Sequence, residues 1–338
     1  MRTLLEARHA AKIFGGSFFD RTPTLALDDF SLAIDADRPS ITAVVGESGS
    51  GKTTLARLLL GLIAPTAGRI LYDGQDLQTM SRAHWRRFRR DVQVIFQDPY
   101  GVYNPFYRID HVLTTPVAKF GLATSRSHAR ALIDDVLRAV GLRPEETLGR
   151  FPHQLSGGQR QRIMVARALL LQPRVILADE PVSMVDASLR ATILASLAAM
   201  NRDRGISIVY ITHDLATAYQ ISDTIVVLYR GSVAEVGDVE LVVKRPQHPY
   251  TQLLLSSIPL AGPRRTWMTD EEPAPLSGTD SINGGCKFAP RCPSVMSSCR
   301  SAPSPLFETD RGRAVACYLY RDAATGSIDH PESRRSIR

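Results

Sequence analysis

Nine consecutive residues combine three glycines with a lysine and two threonines, in the order G-E-S-G-S-G-K-T-T. Glycines let a backbone curl so that successive N–H groups point into one concave nest, which suits an anion. A lysine after such a loop brings a mobile positive charge to the outer phosphates of a nucleotide, and the next hydroxyl can bind Mg²⁺. This predicted phosphate loop consists of Gly46, Glu47, Ser48, Gly49, Ser50, Gly51, Lys52, Thr53 and Thr54.

The segments on either side of the loop have the character that this chemistry needs. Residues 41–45 are a short apolar run rich in β-branched residues, and residues 54–60 favour a helix that ends at Gly61. Strand, glycine loop and helix in this order place bound phosphates at the positive end of the helix. The alternative is a glycine-rich turn without a ligand, and the Lys-Thr pair in register favours the phosphate site.

Asp179 and Glu180 are candidates for the second half of the site. They follow the apolar residues 175–178, and ligands bind at the carboxyl ends of strands in open α/β sheets. We expect Asp179 to hold Mg²⁺, directly or through water, and Glu180 to polarise a water for attack on the γ-phosphate. The alternative is an ordinary acidic pair between a strand and a loop.

A second glycine-bearing turn opens a helix further along the chain, and it consists of Leu155, Ser156, Gly157, Gly158 and Gln159. A helix N-terminus of this kind also suits an anion. One nucleotide has one triphosphate, which the first loop already holds. The second turn therefore binds another ligand, or it completes a site shared with another polypeptide. A simple helix cap is the structural alternative.

The alternation of strand and helix patterns predicts an α/β fold, with a nucleoside triphosphatase core of the P-loop (RecA-like) class and an antiparallel β part. Between about residues 98 and 172 the spacing becomes helical, which predicts a helical insert. The core domain is expected at 1–245, followed by a C-terminal module at 246–321 with a linker rich in Pro, Gly, Ser and Thr at 259–285. Residues 322–338 are polar and are expected to be disordered.

The composition argues against a membrane-spanning protein, a secreted protein and a nucleic-acid-binding protein. The net charge is +7, and 44% of the residues are hydrophobic, which is ordinary for a globular protein. No apolar run is long enough to span a bilayer, and residues 1–8 lack the features of a signal peptide, so we expect a cytosolic protein. The densest positive charge is at residues 86–90, where Phe88 is flanked by Arg86, Arg87, Arg89 and Arg90. A solvated helix face explains these arginines better than a nucleic-acid-binding patch does.

Six motifs in order resemble the nucleotide-binding subunits of ABC transporters: 46–54, Gln97, 155–159, 175–180, 183–186 and His213. The resemblance implies ATP and Mg²⁺ as ligands, with Mg²⁺ held by Thr53, Gln97 and Asp179. It implies that Phe14 stacks on adenine, that Glu180, His213 and Gln97 are catalytic, and that Asp186 lies at a dimer interface. Residues 155–159 would bind the γ-phosphate of ATP held by the opposite subunit.

The C-terminal part resembles the tail of oligopeptide, dipeptide and nickel importer ATPases, through residues 248–254 and 285–293. This resemblance implies ATP-driven peptide import, with nickel or another small solute as the alternative. It implies a second, homologous ATPase chain as a heterodimer partner, two membrane permeases and an extracytoplasmic binding protein, at the cytoplasmic face of the cell membrane. A soluble ABC protein acting on nucleic acid or ribosomes usually has two ATPase domains or a coiled-coil insertion, and this chain has neither.

The four cysteines all lie in the C-terminal module, with the spacing C-x(5)-C-x(6)-C-x(17)-C: Cys286, Cys292, Cys299 and Cys317. Four thiolates can hold Zn²⁺ or an iron–sulfur cluster. Some relatives in the resembled family carry a [4Fe–4S] cluster here, so the resemblance favours the cluster over zinc. Uncoordinated thiols or a disulfide remain the third possibility. Lys287 and Arg291 would offset the negative charge of a thiolate-bound cluster.

Overall fold

The computed structural model describes residues 2–15, 23–98, 100–183, 185–257, 284–322 and 326–327. The predicted linker at 259–285, except for its last two residues, and nearly all of the predicted disordered tail lie outside this part of the chain. Within it, no helix is both long and apolar enough to cross a membrane.

The strands in chain order are β1 Thr3–Phe14, β2 Thr24–Asp35, β3 Ile41–Val45, β4 Ala67–Tyr72, β5 Gln75–Asp76, β6 Val92–Ile95, β7 Val175–Asp179, β8 Ser207–Thr212, β9 Thr224–Tyr229, β10 Ser232–Asp238, β11 Phe307–Asp310, β12 Arg313–Val315 and β13 Gly326–Ser327. The α-helices are α1 Lys52–Leu59, α2 Arg82–Asp91, α3 Ile109–Phe120, α4 Arg126–Ala139, α5 Pro144–Thr147, α6 Gly157–Leu169, α7 Ala187–Arg204, α8 Leu215–Ile221, α9 Val239–Lys244, α10 Pro249–Ser256 and α11 Ser297–Ser301. Short 3₁₀ helices lie at Pro152–Gln154, Ala289–Arg291 and Tyr318–Tyr320.

The central sheet has the strand order β13-β11-β12-β10-β9-β3-β8-β7-β6. Strands β9, β3, β8, β7 and β6 run parallel, and the strands beyond β9 continue the sheet in antiparallel pairs. All five residues of β3 are buried. Its side chains alternate between two hydrophobic cores, with Ala43 and Val45 in one and Val44 in the other. This burial on both faces explains the continuous apolar runs of the sequence.

A second, antiparallel sheet with the order β2-β1-β4-β5 forms the predicted antiparallel part. Its buried face contributes Leu4, Leu5 and Phe30 to the same core as Leu55 and Leu58 of α1. Helix α1 therefore lies between the two sheets. The phosphate loop that precedes it is fixed at the junction of both layers.

The helical insert contains more helix than the sequence indicated. Ser125 caps α4, where its side chain accepts a hydrogen bond from the His128 N–H. Helix α3 was not predicted, because Pro116 lies inside it and proline normally interrupts a helix. The insert packs on the central core through buried residues that include Leu113, Leu137 and Ile163.

The C-terminal module is continuous with the central sheet, since β12 pairs with β10. A buried ionic group stabilises this junction. The fully buried Glu235 carboxylate accepts hydrogen bonds from the backbone N–H groups of Gln247 and His248, and Arg313 Nη1 lies 3.9 Å from its Oε1. Burial raises the pKa of Glu235, and the backbone donors and Arg313 oppose that shift.

Candidate active site

Four of the predicted motifs follow neighbouring parallel strands. The phosphate loop follows β3, His213 follows β8, Asp179 ends β7, and Gln97 lies two residues after β6. These strands are adjacent in the order β3-β8-β7-β6 and point the same way. Their carboxyl ends therefore meet at one edge of the sheet, as expected for a ligand site in an open α/β fold.

The glycines of the phosphate loop are required by its backbone. Gly46, Gly49 and Gly51 all have positive φ angles, of 156°, 78° and 102°. A Cβ on Gly46 would lie 2.2 Å from the Leu228 carbonyl oxygen, and one on Gly51 would lie 2.4 Å from that of Ala26. The loop thus packs directly against neighbouring backbone. This closeness accounts for glycine at two of the three positions independently of any ligand.

Lys52 is buried at the start of α1, and its Nζ is held by the loop itself. It donates to the carbonyl oxygens of Gly46 at 2.7 Å and Glu47 at 2.8 Å. Burial lowers the pKa of Lys52, while the negative charges of Glu180, Asp179 and Glu47 oppose that change. The carboxylates of Asp179 and Glu180 therefore lie close enough to influence the pKa of Lys52 electrostatically.

Glu180 lies between the two other predicted catalytic side chains. Its Oε2 accepts a hydrogen bond from Gln97 Nε2 at 2.9 Å, and its Oε1 lies 3.0 Å from His213 Nδ1. The residue has a φ of 46°, a left-handed conformation that non-glycine residues seldom adopt. Its N–H donates to the Ile211 carbonyl oxygen at 2.8 Å, so the neighbouring strand β8 holds this backbone in place. The structure brings all three predicted residues together.

Asp179 is partly buried beside Glu180. Burial raises the pKa of Asp179, the Glu180 charge raises it further, and the positive charges of Lys52 and Arg57 act against the change. Two adjacent carboxylates and the Gln97 amide that contacts Glu180 offer oxygen ligands of the kind that Mg²⁺ prefers. The residues present therefore fit the predicted Mg²⁺ site of Thr53, Gln97 and Asp179, because a cation would relieve the repulsion between the two carboxylates.

The second glycine turn forms the N-terminus of α6 and is capped from within. The Ser156 Oγ accepts a hydrogen bond from the Gln159 N–H, and the Ser156 N–H donates to Gln159 Oε1. Among the hydrogen bonds of the described residues, none joins positions 155–159 to the phosphate loop. Within this chain the turn acts as a helix cap, and its part in an anion site shared with another chain stays a prediction.

Two contacts of this turn escaped prediction from the sequence. A Cβ on Gly157 would lie 2.8 Å from the Tyr100 hydroxyl, and one on Gly158 would lie 1.9 Å from Leu189 Cδ2. The Arg160 guanidinium lies 4.2 Å from the centre of the Tyr100 ring. Tyr100 therefore links the segment after Gln97 to the start of α6. No sequence signal other than its position three residues after Gln97 could have indicated this.

Phe14, predicted to stack on adenine, and Asp186, predicted at a dimer interface, lie on other elements. Phe14 ends β1 and is 40% exposed, with Lys12 Nζ 5.3 Å from its ring centre. An exposed aromatic ring at this point is available to stack on a base. Asp186 is the N-cap residue of α7 and is exposed. These positions agree with the predicted roles but do not test them.

Lys287 and Arg291, expected to offset a cluster's charge, are both paired with carboxylates of the core domain. Lys287 Nζ lies 3.0 Å from Asp28 Oδ2. Arg291 contacts Glu47 with both terminal nitrogens, at 3.0 and 3.1 Å. The C-terminal module therefore reaches the phosphate loop, a contact that sequence spacing could not indicate because 244 positions separate the two residues.

All four cysteines line one cavity of about 10 Å³ in the C-terminal module. Burial raises the pKa of Cys286, Cys292 and Cys317, and the charges of neighbouring cysteines raise each of them further. Four thiols in one cavity are a suitable donor set for a soft metal centre. However, no group of three or more His, Cys, Asp or Glu side chains in the described ranges is arranged to hold a metal ion.

Comparison with known proteins decides the family. Residues 27–183 match the family model described as ABC transporter, and residues 234–299 match the one described as oligopeptide/dipeptide transporter, C-terminal region. A probable peptide ABC transporter ATP-binding protein of Sinorhizobium fredii, y4tS, is 40% identical over 94% of this chain and 89% of its own length. The chain belongs to the ATP-binding proteins of ABC transporters. The predicted family is thereby confirmed.

Further relatives and solved structures agree with this assignment of an ABC ATPase. A putative oligopeptide transport ATP-binding protein of Bacillus subtilis, YkfD, is 40% identical over 83% of this chain and 86% of its own. The ATP-binding cassette MJ0796, solved as a dimer bound to ADP and Pi, is 27% identical with a TM-score of 0.62, covering 70% of this chain and 99% of that one. These matches confirm the predicted P-loop fold and the ATPase activity.

Proposed function

We propose that this ABC ATPase energises the import of peptides. The observation that carries this proposal is the match of residues 234–299 to the C-terminal region of oligopeptide and dipeptide transporters, together with relatives named for peptide transport. Nickel or another small solute is the second candidate cargo, because the resembled branch includes nickel importers.

The side chains at the sheet edge support a hydrolytic role. Lys52 and the loop N–H groups bind the phosphates of ATP, and Phe14 stacks on adenine. Glu180, the carboxylate that Gln97 and His213 orient, accepts a proton from the attacking water. Bound Mg²⁺ at Thr53, Gln97 and Asp179 would neutralise charge on the phosphates as the bond breaks.

An ATP site shared by two ATPase chains would couple hydrolysis to the movement of one chain relative to the other. Residues 155–159 reach the γ-phosphate of ATP held by a second, homologous ATPase chain, and Asp186 faces that chain. The self-capped geometry of Ser156 supports this role, because the α6 N-terminus is already formed without the nucleotide. ATP binding closes the pair of chains and hydrolysis reopens it.

The proposed complex contains two such ATPase chains, as a heterodimer, with two membrane permeases and an extracytoplasmic binding protein. The chain lies at the cytoplasmic face of the cell membrane and contacts the permeases there. The transported solute is chosen by the permeases and the binding protein. No direct contact with nucleic acid is part of this function.

The cysteines are proposed to hold a [4Fe–4S] cluster, with zinc or uncoordinated thiols as the alternatives. One observation supports the cluster, namely that all four cysteines line the same cavity. The described residues contain no group of three or more ligands arranged to hold a metal ion, so the proposal rests on that cavity and on the resemblance. A cluster would supply structural cross-linking of the module here.

Solute uptake tests the proposal. Cells whose only copy of this chain carries Glu180→Gln would be compared with wild-type cells for uptake of a labelled tripeptide and of labelled Ni²⁺. We expect the variant to lose peptide uptake and to retain Ni²⁺ uptake. Loss of Ni²⁺ uptake alone would favour the second cargo, and unchanged uptake of both would contradict an import function.

A further inference from the structure

Glu47 shares with Gly46 the task of holding Lys52, since the carbonyl oxygens of both residues accept hydrogen bonds from its Nζ. The Glu47 carbonyl oxygen accepts hydrogen bonds from Lys52 Nζ at 2.8 Å and from the Ser50 N–H at 3.1 Å. The lysine predicted to meet the phosphates and the turn of the loop therefore both contact this residue.

The C-terminal region holds Glu47 from two directions. The Tyr250 hydroxyl, on α10, accepts a hydrogen bond from the Glu47 N–H at 2.9 Å, and Tyr250 is fully buried. The Arg291 guanidinium forms a two-point ion pair with the Glu47 carboxylate. Two-point pairs between arginine and carboxylate are directional as well as attractive. Backbone and side chain of Glu47 are therefore fixed by residues outside the nucleotide-binding core.

The two contacts belong to one packed unit. The rings of Tyr229, Tyr250 and Phe288 lie within 4.5–5.6 Å of one another, centre to centre. The Arg291 guanidinium lies 5.8 Å from the Tyr229 ring and 5.7 Å from the Phe288 ring. The aromatic cluster thus orients the arginine, and Phe288 and Arg291 lie between Cys286 and Cys292 in the chain.

We propose that Arg291 is a positioning residue for ATP binding, through which the cysteine-bearing module sets the conformation of the phosphate loop. The inference rests on the proposed role of residues 46–54 in binding ATP. Arg291 itself does not touch the nucleotide. It acts by holding Glu47, whose carbonyl oxygen in turn holds Lys52.

ATP binding and backbone exchange test this inference in the full-length chain. We expect Arg291→Ala to raise the Kd for ATP-Mg²⁺ about threefold to tenfold, as expected for loss of a two-point ion pair at a loop. Hydrogen–deuterium exchange should accelerate in peptides covering 46–54, measured without nucleotide, and stay unchanged in α4. Arg291→Lys, which keeps the charge but loses the two-point geometry, should recover part of the affinity.

A double-mutant cycle and a matched control make the outcome decisive. Glu47→Gln and the double variant Glu47→Gln/Arg291→Ala should each show the Arg291→Ala affinity, because the same contact is lost. Arg300→Ala, an exposed arginine of the same module, should bind ATP as the wild type does. Wild-type affinity and loop exchange in Arg291→Ala, or independent effects of the two substitutions, would overturn the inference. Failure of the wild-type chain itself to bind ATP would instead refute the proposed function.

Discussion

The Glu180 carboxylate lies 3.0 Å from the His213 imidazole, with Oε1 facing Nδ1. The two atoms are within hydrogen-bond distance, so each side chain holds the other in place. Glu180 is 16% exposed and His213 is 58% exposed at the side chain. The histidine therefore forms the solvent side of the pair and shields the candidate general base.

Replacing His213 by alanine should lower ATP turnover with little change in ATP affinity. The substitution removes one of the two side-chain contacts that orient Glu180, and the contact with Gln97 remains. We expect kcat to fall about tenfold to a hundredfold, less than the roughly 10²–10⁴-fold that a general acid or base itself contributes, because Gln97 still orients Glu180. Steady-state ATPase assays and ATP titrations on the same preparation measure both quantities. A weaker ATP affinity at unchanged kcat would place His213 outside the catalytic group.

Replacing Gly158 by alanine should destabilise the start of α6 through contact with α7. The new Cβ would lie 1.9 Å from Leu189 Cδ2, so the leucine has to move. Overpacking of this kind costs about 1–3 kcal/mol of folding free energy. Thermal unfolding measures the loss, and Leu189→Ala combined with Gly158→Ala should recover part of it. Equal stability of the single and double variants, both below the wild type, would show that the clash is not the cause.

His248 should make the protein less stable in mild acid. Burial lowers its pKa from 6.5 to about 4, and its Nδ1 accepts the Tyr250 N–H. Between these pH values the unfolded chain binds more protons than the folded one, so stability falls as the pH decreases from 6.5 toward 4. The shift corresponds to roughly 3 kcal/mol lost across that window.

Chemical unfolding of wild type and His248→Gln at several pH values measures this contribution. Glutamine offers a carbonyl oxygen to the Tyr250 N–H and does not titrate, so the variant should show a flatter pH dependence between 4 and 6.5. His128→Gln, on the exposed surface of α4, is the matched control. Identical pH profiles for wild type and His248→Gln would contradict the assignment.

The proposed [4Fe–4S] cluster predicts a visible chromophore in protein purified without oxygen. A [4Fe–4S] cluster requires about four irons per chain and absorbs visible light. Metal analysis and an absorption spectrum measure both, and Cys317→Ser should reduce the iron content. A colourless protein with four reactive thiols and no iron would refute the cluster, and about one zinc per chain would favour the zinc alternative.

The sequence predicted the site better than the connections around it. Glu180 was predicted because an acidic pair follows an apolar strand, whereas Gln97 and His213 were predicted from the resemblance to ABC transporter subunits. Neighbouring parallel strands bring the three residues to one edge of the sheet. Helix α3 was missed, since Pro116 masks its pattern. The Arg291–Glu47 ion pair was also missed, because it depends on how the C-terminal module packs and no local pattern encodes that.

Lys287 and Arg291 are a second case in which the sequence did not indicate the tertiary contact. Spacing alone placed Lys287 and Arg291 beside the cysteines and suggested that they offset a cluster's charge. In the fold, both side chains point away to Asp28 and Glu47 of the core domain. Cations that are adjacent to the cysteines in sequence can therefore pair with carboxylates elsewhere, and only the tertiary structure shows which partner they have.

Nucleotide binding and turnover by Glu180→Gln test the central claim most directly. The amide keeps the shape of the carboxylate and a hydrogen-bonding oxygen for Gln97, but it cannot accept the proton of the attacking water. We expect ATP-Mg²⁺ to bind with an affinity within about threefold of the wild type. Turnover should fall about a hundredfold or more. Hydrolysis at the wild-type rate, with ATP binding intact, would contradict the account.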